Sequence, residues 1–558
     1  MSKIKPLALR LFDPIDIAPL VWFRIGFGGL MLWEVWRYFN FNRIGRYYVD
    51  TSYNFHYFGF QWLTPLPGDG MFWLFHLLGL LSVLIMLGAF YRISMGIFWL
   101  CFTYVFLLDK AQYLNHFYLI SLISFLMIFV PAHRALSVDA LLRPSLRAQV
   151  APAWSLWLLR GQMAIVYFFG GLAKINPDWL AGEPMRDWMA ARTDFPLIGR
   201  WFTEEWLVYL FSYGGLLLDL LIVPFLLWPR TRIPALLMAT LFHLMNARLF
   251  NIGIFPWFAI AATLLFMPPH WFRLPILDKL PAVSPPRFQA SRHGLILASI
   301  GVYFVIQIAL PLRHWLYPGD PSWTEEGHTL AWRMRLRDKD GDIAFYASDP
   351  TSGSSWRLHI DDQLSARQLN QMKDNPPMIL RFSHHLAESL RDTYPDVRIH
   401  ARAMMSLNSR APQLLIDPSA NLANEPDDLI ASDWIVPLVQ QPHPAGPVPA
   451  LLVSQRYPNV LLLINITESI YPLDDLVLEL ADYSLNTADS GAGVLLPGEC
   501  LLVHTPSANL QSVFAPCNEV GTRLILPDSL SAQSPHINTG ATTQLCDRPA
   551  CVVLRQDT

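Results

Sequence analysis

The residues that could do chemistry in this chain are polar and ionisable side chains within or beside long apolar runs. Such side chains are costly in a bilayer, so each is a candidate for a functional site. They form four groups: Asp109, Lys110, Asn115 and His116; Arg160 and Lys174; Asp219; and His243, Asn246, Arg248 and Asn251. No Ser-His-Asp signature, glycine-rich phosphate loop, haem motif or convincing metal-ligand set accompanies them. Proton transfer or polar recognition inside a membrane is therefore the chemistry they indicate.

Each group also has an ordinary structural explanation. Asp109 with Lys110 could be an ion pair in a loop. Lys174 ends an apolar run and could extend its amine towards the lipid headgroups. Asp219 could pair with Arg160 or cap a broken helix. His243 and Asn246 are three residues apart, hence on one helix face, and could simply bind a neighbouring helix. Residue type and spacing leave these alternatives open.

The elements that must position these side chains are membrane spans. Of 558 residues, 53% are hydrophobic and only 15% are charged, against about 25% charged in a typical soluble domain. The 41 basic and 44 acidic residues include no polybasic run, so nucleic acid is not an expected partner. Apolar runs close to spanning length predict about nine spans. They are Ile17–Tyr38, Met71–Phe90, Ile93–Leu108, Phe117–Pro131, Trp154–Gly171, Trp206–Trp228, Ile233–Leu249, Gly253–Phe266 and Gly294–Leu312.

The distribution of Lys and Arg in the short loops predicts a cytoplasmic N-terminus. An odd number of spans then places everything after Leu312 outside. The first run lacks a small-residue cleavage site, so we expect an anchor and not a signal peptide. The predicted fold is a mainly α-helical polytopic bundle in the inner or plasma membrane, residues 1–313. Two periplasmic or otherwise extracytoplasmic β-rich modules, sandwich-like in type, are expected to follow at residues 314–440 and 441–558.

The tail after the bundle carries strand and turn signals. Asp340-Gly341 is a hairpin signal, and Met378–Asp392 has helical spacing. Short strands are predicted at Thr329–Leu336, Ile343–Ala347, Trp356–Ile360 and Val397–Ser406. An even group of cysteines near the C-terminus of an exported tail predicts two disulfides, without fixing their connectivity. These cysteines are Cys500, Cys517, Cys546 and Cys551.

A series of stretches, in order and with similar spacing, resembles the vitamin K-dependent γ-glutamyl carboxylase family, whose membrane part is the HTTM domain. In the membrane part they are Gly88–Ser94, Tyr104–Lys110, Asn115-His116, Leu159–Gln162, Ile165–Phe168, Lys174 with Asp178-Trp179 and Gly182, Gly214–Asp219, Phe242-His243 with Met245-Asn246, Leu249-Phe250 and Ile252-Gly253. Outside it they are Trp332 with Met334, Ser406–Arg410, Ile416–Pro418 and Trp434 with Pro437-Leu438. The resemblance covers roughly Pro14 to Leu438, and a bacterial homologue is expected.

The resemblance implies an enzyme that couples oxidation of reduced vitamin K, of menaquinol or phylloquinol type, to carboxylation of glutamate side chains. Dioxygen and carbon dioxide are the implied co-substrates, and no metal is required. The glutamate γ-carbon proton is too weakly acidic for any side-chain base, since Lys has a pKa of only ~10.4. A lysine can instead deprotonate the hydroquinone, and attack by oxygen then yields a strongly basic alkoxide and an epoxide. The alkoxide removes the proton from the glutamate γ-carbon, and carbon dioxide adds to the carbanion that is left. The overall reaction is carbon–carbon lyase (carboxylase) chemistry.

The resemblance also assigns roles to individual residues. Lys174 matches the family's base lysine, and burial at the end of an apolar span would favour its neutral form. Asn115, His116, His243 and Asn246 are the implied cofactor-binding residues. For the substrate, a glutamate-containing exported peptide or protein, the family-like stretches of the tail offer Trp332 and Arg410. Arg192 is a further candidate, because it could pair with a carboxylate.

Two other functions remain open. The protein could be a quinol epoxidase without carboxylase activity, which uses oxygen and a membrane lipid quinol for another purpose. It could also be a non-enzymatic membrane anchor or small-solute transport protein, in which Lys174, His243 and Asn246 serve transport or packing.

Overall fold

The structure is a computed structural model that describes residues 7–250, 252–272, 293–360 and 362–439, with the backbone of separate strands after residue 450. The chain divides into two compact units. The first contains residues 1–316, 327–336 and 363–365, and the second contains residues 317–326, 337–362 and 366–558.

The first unit is built from helices that cover all nine predicted apolar runs. They are α1 Ala18–Asn40, α2 Gly70–Leu87, α3 Tyr91–Leu108, α4 Asn115–Phe129, α5 Ala153–Leu172, α6 Glu205–Leu227, α7 Arg232–Phe250, α8 Phe255–Thr263 and α9 His293–Leu312. Among the described residues, five helices are long and apolar enough to cross a membrane, namely α2, α3, α6, α7 and α9. The helical bundle is thus confirmed, whereas a count of nine spans is not.

Short elements join these helices. Helical turns lie at Leu7–Arg10, Val138–Leu142, Pro177–Leu180 and Met185–Ala190. Strands β1 (Pro14–Asp16) and β2 (Val150–Pro152) pair antiparallel and bring the chain just before α1 beside the chain just before α5. The carboxylate of Asp139 accepts hydrogen bonds from the backbone N–H groups of Phe90 and Tyr91, at 2.7 and 2.9 Å, and so caps α3.

Helices α5 and α6 approach each other closely because glycines lie at their crossing. A Cβ atom at Gly171 would stand 2.8 Å from the side chain of Leu220 and 3.0 Å from its backbone nitrogen. No side chain fits there without a shift of the facing helix. This contact fixes the last turn of α5 against the middle of α6.

The second unit contains an antiparallel sheet of four strands in the order β4-β3-β5-β6. Its strands are β3 Lys339–Asp349, β4 Ser354–Leu358, β5 Arg398–Leu407 and β6 Gln413–Leu414. Helices α10 (Ala366–Met372) and α11 (Pro376–Leu390) accompany the sheet, and Phe382 of α11 packs on Phe345 of β3 with 5.5 Å between the ring centroids. The predicted helix and three of the four predicted strands are confirmed.

A buried lysine attaches the short helix Pro321–Thr324 to this sheet. Lys339 Nζ donates to the carbonyl of Trp323 at 2.6 Å and lies 3.4 Å from Glu325 Oε1. Burial lowers the pKa of Lys339 to about 8. The ion pair and the carbonyl offset part of the cost of removing this amine from water.

The strand predicted at Thr329–Leu336 is wrong. This stretch is a series of turns that belongs to the first unit, with positive φ at Leu330, Trp332 and Arg335. Trp332 stacks on Tyr118 of α4, with 4.9 Å between the ring centroids. Alternating apolar residues suggested a strand, but burial against the helices decided the conformation instead.

The hairpin predicted at Asp340-Gly341 is also wrong. Both residues lie inside β3, where Gly341 faces Met405 of β5. A Cβ atom at Gly341 would stand 1.9 Å from the carbonyl oxygen of Met404. The glycine permits close approach of two strands here, and it does not form a turn.

Beyond residue 450 the structure gives backbone strands alone. They are β7 Leu451–Tyr457, β8 Val460–Asn465, β9 Tyr471–Pro472, β10 Val477–Glu479, β11 Ser484–Asn486, β12 Val494–Leu495, β13 Glu499–His504, β14 Gln511–Pro516, β15 Thr543–Asp547 and β16 Ala550–Leu554. These strands confirm β structure in the C-terminal region, whereas a sandwich is not confirmed.

The predicted disulfides find no support. Among the described side chains Cys101 is free. The side chains of the four predicted partners, Cys500, Cys517, Cys546 and Cys551, lie outside the described residues.

Candidate active site in the helical unit

The centre of the candidate site is a buried ion pair between Lys174 and Asp219. Lys174 Nζ donates to Asp219 Oδ2 at 2.6 Å and to the carbonyl of Gly170 at 3.1 Å. Both side chains are only 8% exposed. The amine also lies 5.4 Å from the centre of the Trp179 ring. Lys174 therefore does not extend to the headgroups but turns inward.

Arg160, the partner that the sequence suggested for Asp219, binds elsewhere. Its Nε and Nη2 atoms donate to the carbonyl of Leu265, at 3.0 and 2.8 Å. Its guanidinium also lies over the rings of Trp157 and Phe266. Arg160 thus joins α5 to the segment after α8, and the alternative in which it pairs with Asp219 does not hold.

The crossing of α5 and α6 explains why this pair forms. Lys174 lies just past the end of α5, and Asp219 lies in the middle of α6, next to the Leu220 that contacts Gly171. An unpaired charge in such an apolar environment would cost several kcal/mol or more. Each group therefore requires the other. A neutral pair, with the proton on the carboxylate, is the other arrangement that burial tolerates.

A second polar contact lies about two helical turns before Lys174, on α5. The hydroxyl of Tyr167 on α5 lies 2.8 Å from His243 Nε2 on α7 and 3.4 Å from Thr263 Oγ1 on α8. The other ring nitrogen of His243, Nδ1, is buried with no hydrogen-bond partner in the described part of the chain. Sequence reasoning missed Tyr167 as a site residue. Its spacing of seven residues before Lys174, two helical turns, is the signal that could have found it.

His116 lies near His243, with one aromatic ring between them. The ring of Phe255 on α8 lies 5.8 Å from that of His116 and 5.8 Å from that of His243. Asn246 lies three residues after His243 on α7. Both predicted histidines thus lie beside the same phenylalanine ring.

Asn115 connects the start of α4 to the turn segment around Trp332. Its Oδ1 accepts from the hydroxyl of Tyr113 at 2.9 Å, and its Nδ2 donates to the carbonyl of Arg333 at 3.3 Å. The Tyr113 hydroxyl in turn accepts from the backbone N–H of Leu330. These bonds give Asn115 a structural role in positioning the segment.

Trp332 is fully buried, and its indole N–H has no partner in the described part of the chain. Its segment reaches the Lys174 pair. A Cβ atom at Gly170 would lie 3.4 Å from the Met334 methyl group, 3.5 Å from Asp219 Oδ2 and 4.0 Å from the Trp332 carbonyl. The segment therefore contributes to the surroundings of the ion pair.

The two predicted arginines lie in different units. Arg192 donates to the carbonyls of Leu249 and Arg248, at 2.6 and 3.2 Å, and so caps the C-terminus of α7. It borders an open cleft of about 340 Å³, in which Arg248 is exposed. Arg410 belongs to the second unit and donates to the carbonyl of Leu407 at 3.2 Å.

The residues present offer two unpaired hydrogen-bonding atoms to an oxygen-bearing ligand. His243 Nδ1 and the Trp332 indole N–H are buried polar atoms without partners, and aromatic rings surround both. Such atoms are usually paired in proteins, so a ligand oxygen is a natural partner for them. Among the described residues no group of three or more His, Cys, Asp or Glu side chains could hold a metal ion.

Two family models match the chain. Residues 12–271 match the HTTM domain, and residues 292–441 match the vitamin K-dependent gamma-carboxylase lumenal domain. No solved structure matches. The apolar helices insert into a membrane, and the match to a lumenal domain places the C-terminal region on the non-cytoplasmic side.

Proposed function

The chain belongs to the vitamin K-dependent gamma-carboxylase family, and on that premise we propose that it is an integral membrane γ-glutamyl carboxylase and epoxidase. Its cofactor would be a reduced vitamin K of menaquinol or phylloquinol type, with dioxygen and carbon dioxide as co-substrates. Its substrate would be a glutamate-containing exported peptide. The observation that carries the proposal is the buried Lys174–Asp219 pair beside unpaired polar atoms.

Lys174 would act as the base that takes a hydroxyl proton. A lysine can accept a proton only after it has released its own, and Asp219 Oδ2 lies 2.6 Å away to receive it. Burial brings the ionic and the neutral forms of the pair closer in energy than they are in water. When bound, reduced vitamin K supplies, together with dioxygen, the strong base that no side chain provides.

The other residues would bind and orient the cofactor. His243 Nδ1 and the Trp332 indole N–H would contact its oxygens, and Tyr167 would hold His243 through their 2.8 Å contact. His116 and Asn246 would complete the polar lining. Asn115 would act indirectly, through its bond to the Trp332 segment.

The charged substrate requires a route from water. A glutamate carboxylate cannot cross lipid cheaply, so it must come from the non-cytoplasmic side. Arg192 and Arg410 are our candidates to bind it, since arginine pairs well with carboxylates. We further propose that the N-terminus is cytoplasmic and that the protein is bacterial.

One observation favours the alternative of an epoxidase without carboxylase activity. The guanidinium of Arg192 already binds two main-chain carbonyls, whereas the Lys174 pair needs no further partner for quinol oxidation. A non-enzymatic anchor or transport protein remains the third possibility.

The test is quinone epoxide formation by the purified protein in nanodiscs, compared with its Lys174→Ala variant. We expect the variant to insert and fold but to lose roughly 10²–10⁴-fold in rate, the usual worth of a general base. A small primary amine should restore part of the activity. Ile175→Ala is the matched control, because Ile175 is the neighbouring residue and is exposed. Near wild-type oxidation by Lys174→Ala would refute the assignment.

A further inference from the structure

A second internal space lies between α1, α2, α3 and α4, apart from the ion pair. It is a cavity of about 20 Å³. Its walls are almost entirely apolar and include Met31, Leu78, Phe98, Phe102 and Phe117. A volume of about 10–15 Å³ accommodates one water-sized molecule, so this cavity has room for one small molecule.

The cavity is unsuited to water. An internal water needs about two to four polar partners, and the polar groups in this wall are already engaged. Glu34 Oε2 lies 2.6 Å from Arg37, and Glu34 Oε1 lies 3.6 Å from Arg43. The Tyr38 hydroxyl pairs with that of Tyr48. An apolar occupant is therefore favoured over water.

The cavity borders the candidate site through a single layer of side chains. Phe117 forms part of its wall and packs on Phe102, with 5.6 Å between ring centroids. The neighbouring His116 faces Phe255 and, through it, His243. The Phe117 ring of the cavity wall thus contacts the His116 ring, with 5.0 Å between the centroids, and the Phe255 ring connects His116 to His243.

We propose that this cavity is a dioxygen-binding site that supplies the oxidation at the Lys174 centre; this role rests on the proposed function. Dioxygen is apolar and diatomic, so it suits a dry space of this size. Carbon dioxide is longer and quadrupolar, and it fits such a cavity less well.

The occupant can be detected without any catalytic assay. Protein labelled with ¹³C in its methionine methyl groups is placed in nanodiscs, and paramagnetic relaxation by dissolved dioxygen is measured. Met31 lines the cavity and Met127 does not, while both are buried. We expect relaxation several-fold stronger at Met31. Equal enhancement of the two methyl groups would overturn the proposal.

A filling variant tests the location. Leu78→Phe should occupy the cavity and reduce the Met31 enhancement to that of Met127. Leu80→Phe on the same helix is the control, because Leu80 is exposed and should leave the enhancement unchanged. Should Leu78→Phe fail to fold, Val105→Leu fills the same space more gently. Persistence of the Met31 enhancement in a folded filling variant would contradict the proposal, as would its loss on saturation with carbon dioxide.

Steady-state kinetics test whether dioxygen held in the cavity is used in quinol oxidation. Leu78→Phe should raise the KM for dioxygen several-fold in the epoxide assay, with the KM for quinol and the kcat at saturating dioxygen retained. An unchanged KM for dioxygen would refute the supply role. If the wild type oxidises no quinol, the proposed function fails, whereas the relaxation result still decides whether dioxygen binds.

Discussion

At the scale of single residues, the candidate site depends on one buried ion pair. Lys174 and Asp219 come from sequence positions 45 residues apart and meet at 2.6 Å in an environment that excludes water. The sequence identified both residues as costly in a membrane, but it suggested the wrong partner for Asp219. Side-chain type predicts that a buried charge needs a partner, while helix packing determines which partner it finds.

Replacement of Asp219 by Asn tests the role of the pair. The amide oxygen of the Asp219→Asn variant keeps a hydrogen-bond acceptor near Nζ but cannot take the proton. We expect quinol oxidation to fall by roughly 10²–10⁴-fold, with a much smaller change in the KM for quinol. Rates and KM values are measured from epoxide formation in nanodiscs.

Asp219→Glu is the companion variant. It keeps the carboxylate with one more methylene group, and partial recovery of the rate is expected. If Asp219→Asn matches the wild type, the carboxylate serves only to offset the charge of Lys174. The proton-release role would then be excluded.

At the scale of elements, the site depends on glycines at the crossing of α5 and α6. The Gly171→Ala variant would place a methyl group 2.8 Å from the side chain of Leu220 and force the helices apart. Misplacement of a catalytic group by about 1 Å can cost as much as about 10²-fold in rate. We therefore expect the rate of epoxide formation to fall at least about tenfold, as for a misplacement of Lys174 by less than 1 Å. The melting temperature should also fall.

Gly214→Ala is the control for this prediction. Gly214 also lies in α6, yet a Cβ atom there meets no heavy atom within 4 Å. That variant should keep its rate and its melting temperature. Wild-type activity in Gly171→Ala would show that the ion pair tolerates a wider crossing.

The sequence predicts helices more reliably than the segment that completes the site. Long apolar runs indicate helices because a bilayer leaves few other ways to satisfy the backbone. Local alternation predicts a strand at Thr329–Leu336, because the pattern carries no information about the helices against which this segment packs. The same limit explains why Tyr167 was missed. Its role depends on His243, which approaches from another helix.

At the scale of the whole molecule, the proposed chemistry divides between two solvents. A lipid quinol and dioxygen are both concentrated in an apolar phase, where the Lys174 pair and the cavity lie. A peptide glutamate is charged and stays in water on the non-cytoplasmic side. The two family models follow the same division, since one covers the helical part and the other is a lumenal domain.

This division predicts that the second unit serves the peptide more than the quinol. Arg410, a largely buried arginine of that unit, is our candidate for the carboxylate. In Arg410→Ala we expect epoxide formation to stay near the wild-type rate. Carboxylated product should fall roughly tenfold or more, as for loss of a hydrogen bond to a charged group worth about 1.5–3 kcal/mol. Both products are measured in the same reaction.

A control variant and the possible outcomes distinguish a role of Arg410 in substrate binding from a role in stabilising the fold. Arg391→Ala removes an exposed arginine of the same unit, paired with Glu388, and should change neither product. Arg410→Lys should recover part of the carboxylation if positive charge is what the substrate requires. Equal loss of both products in Arg410→Ala would mean that the arginine merely stabilises its turn after β5. Epoxide without carboxylated product from any peptide, already in the wild type, would instead establish an epoxidase, because oxidation at the Lys174 pair needs no peptide.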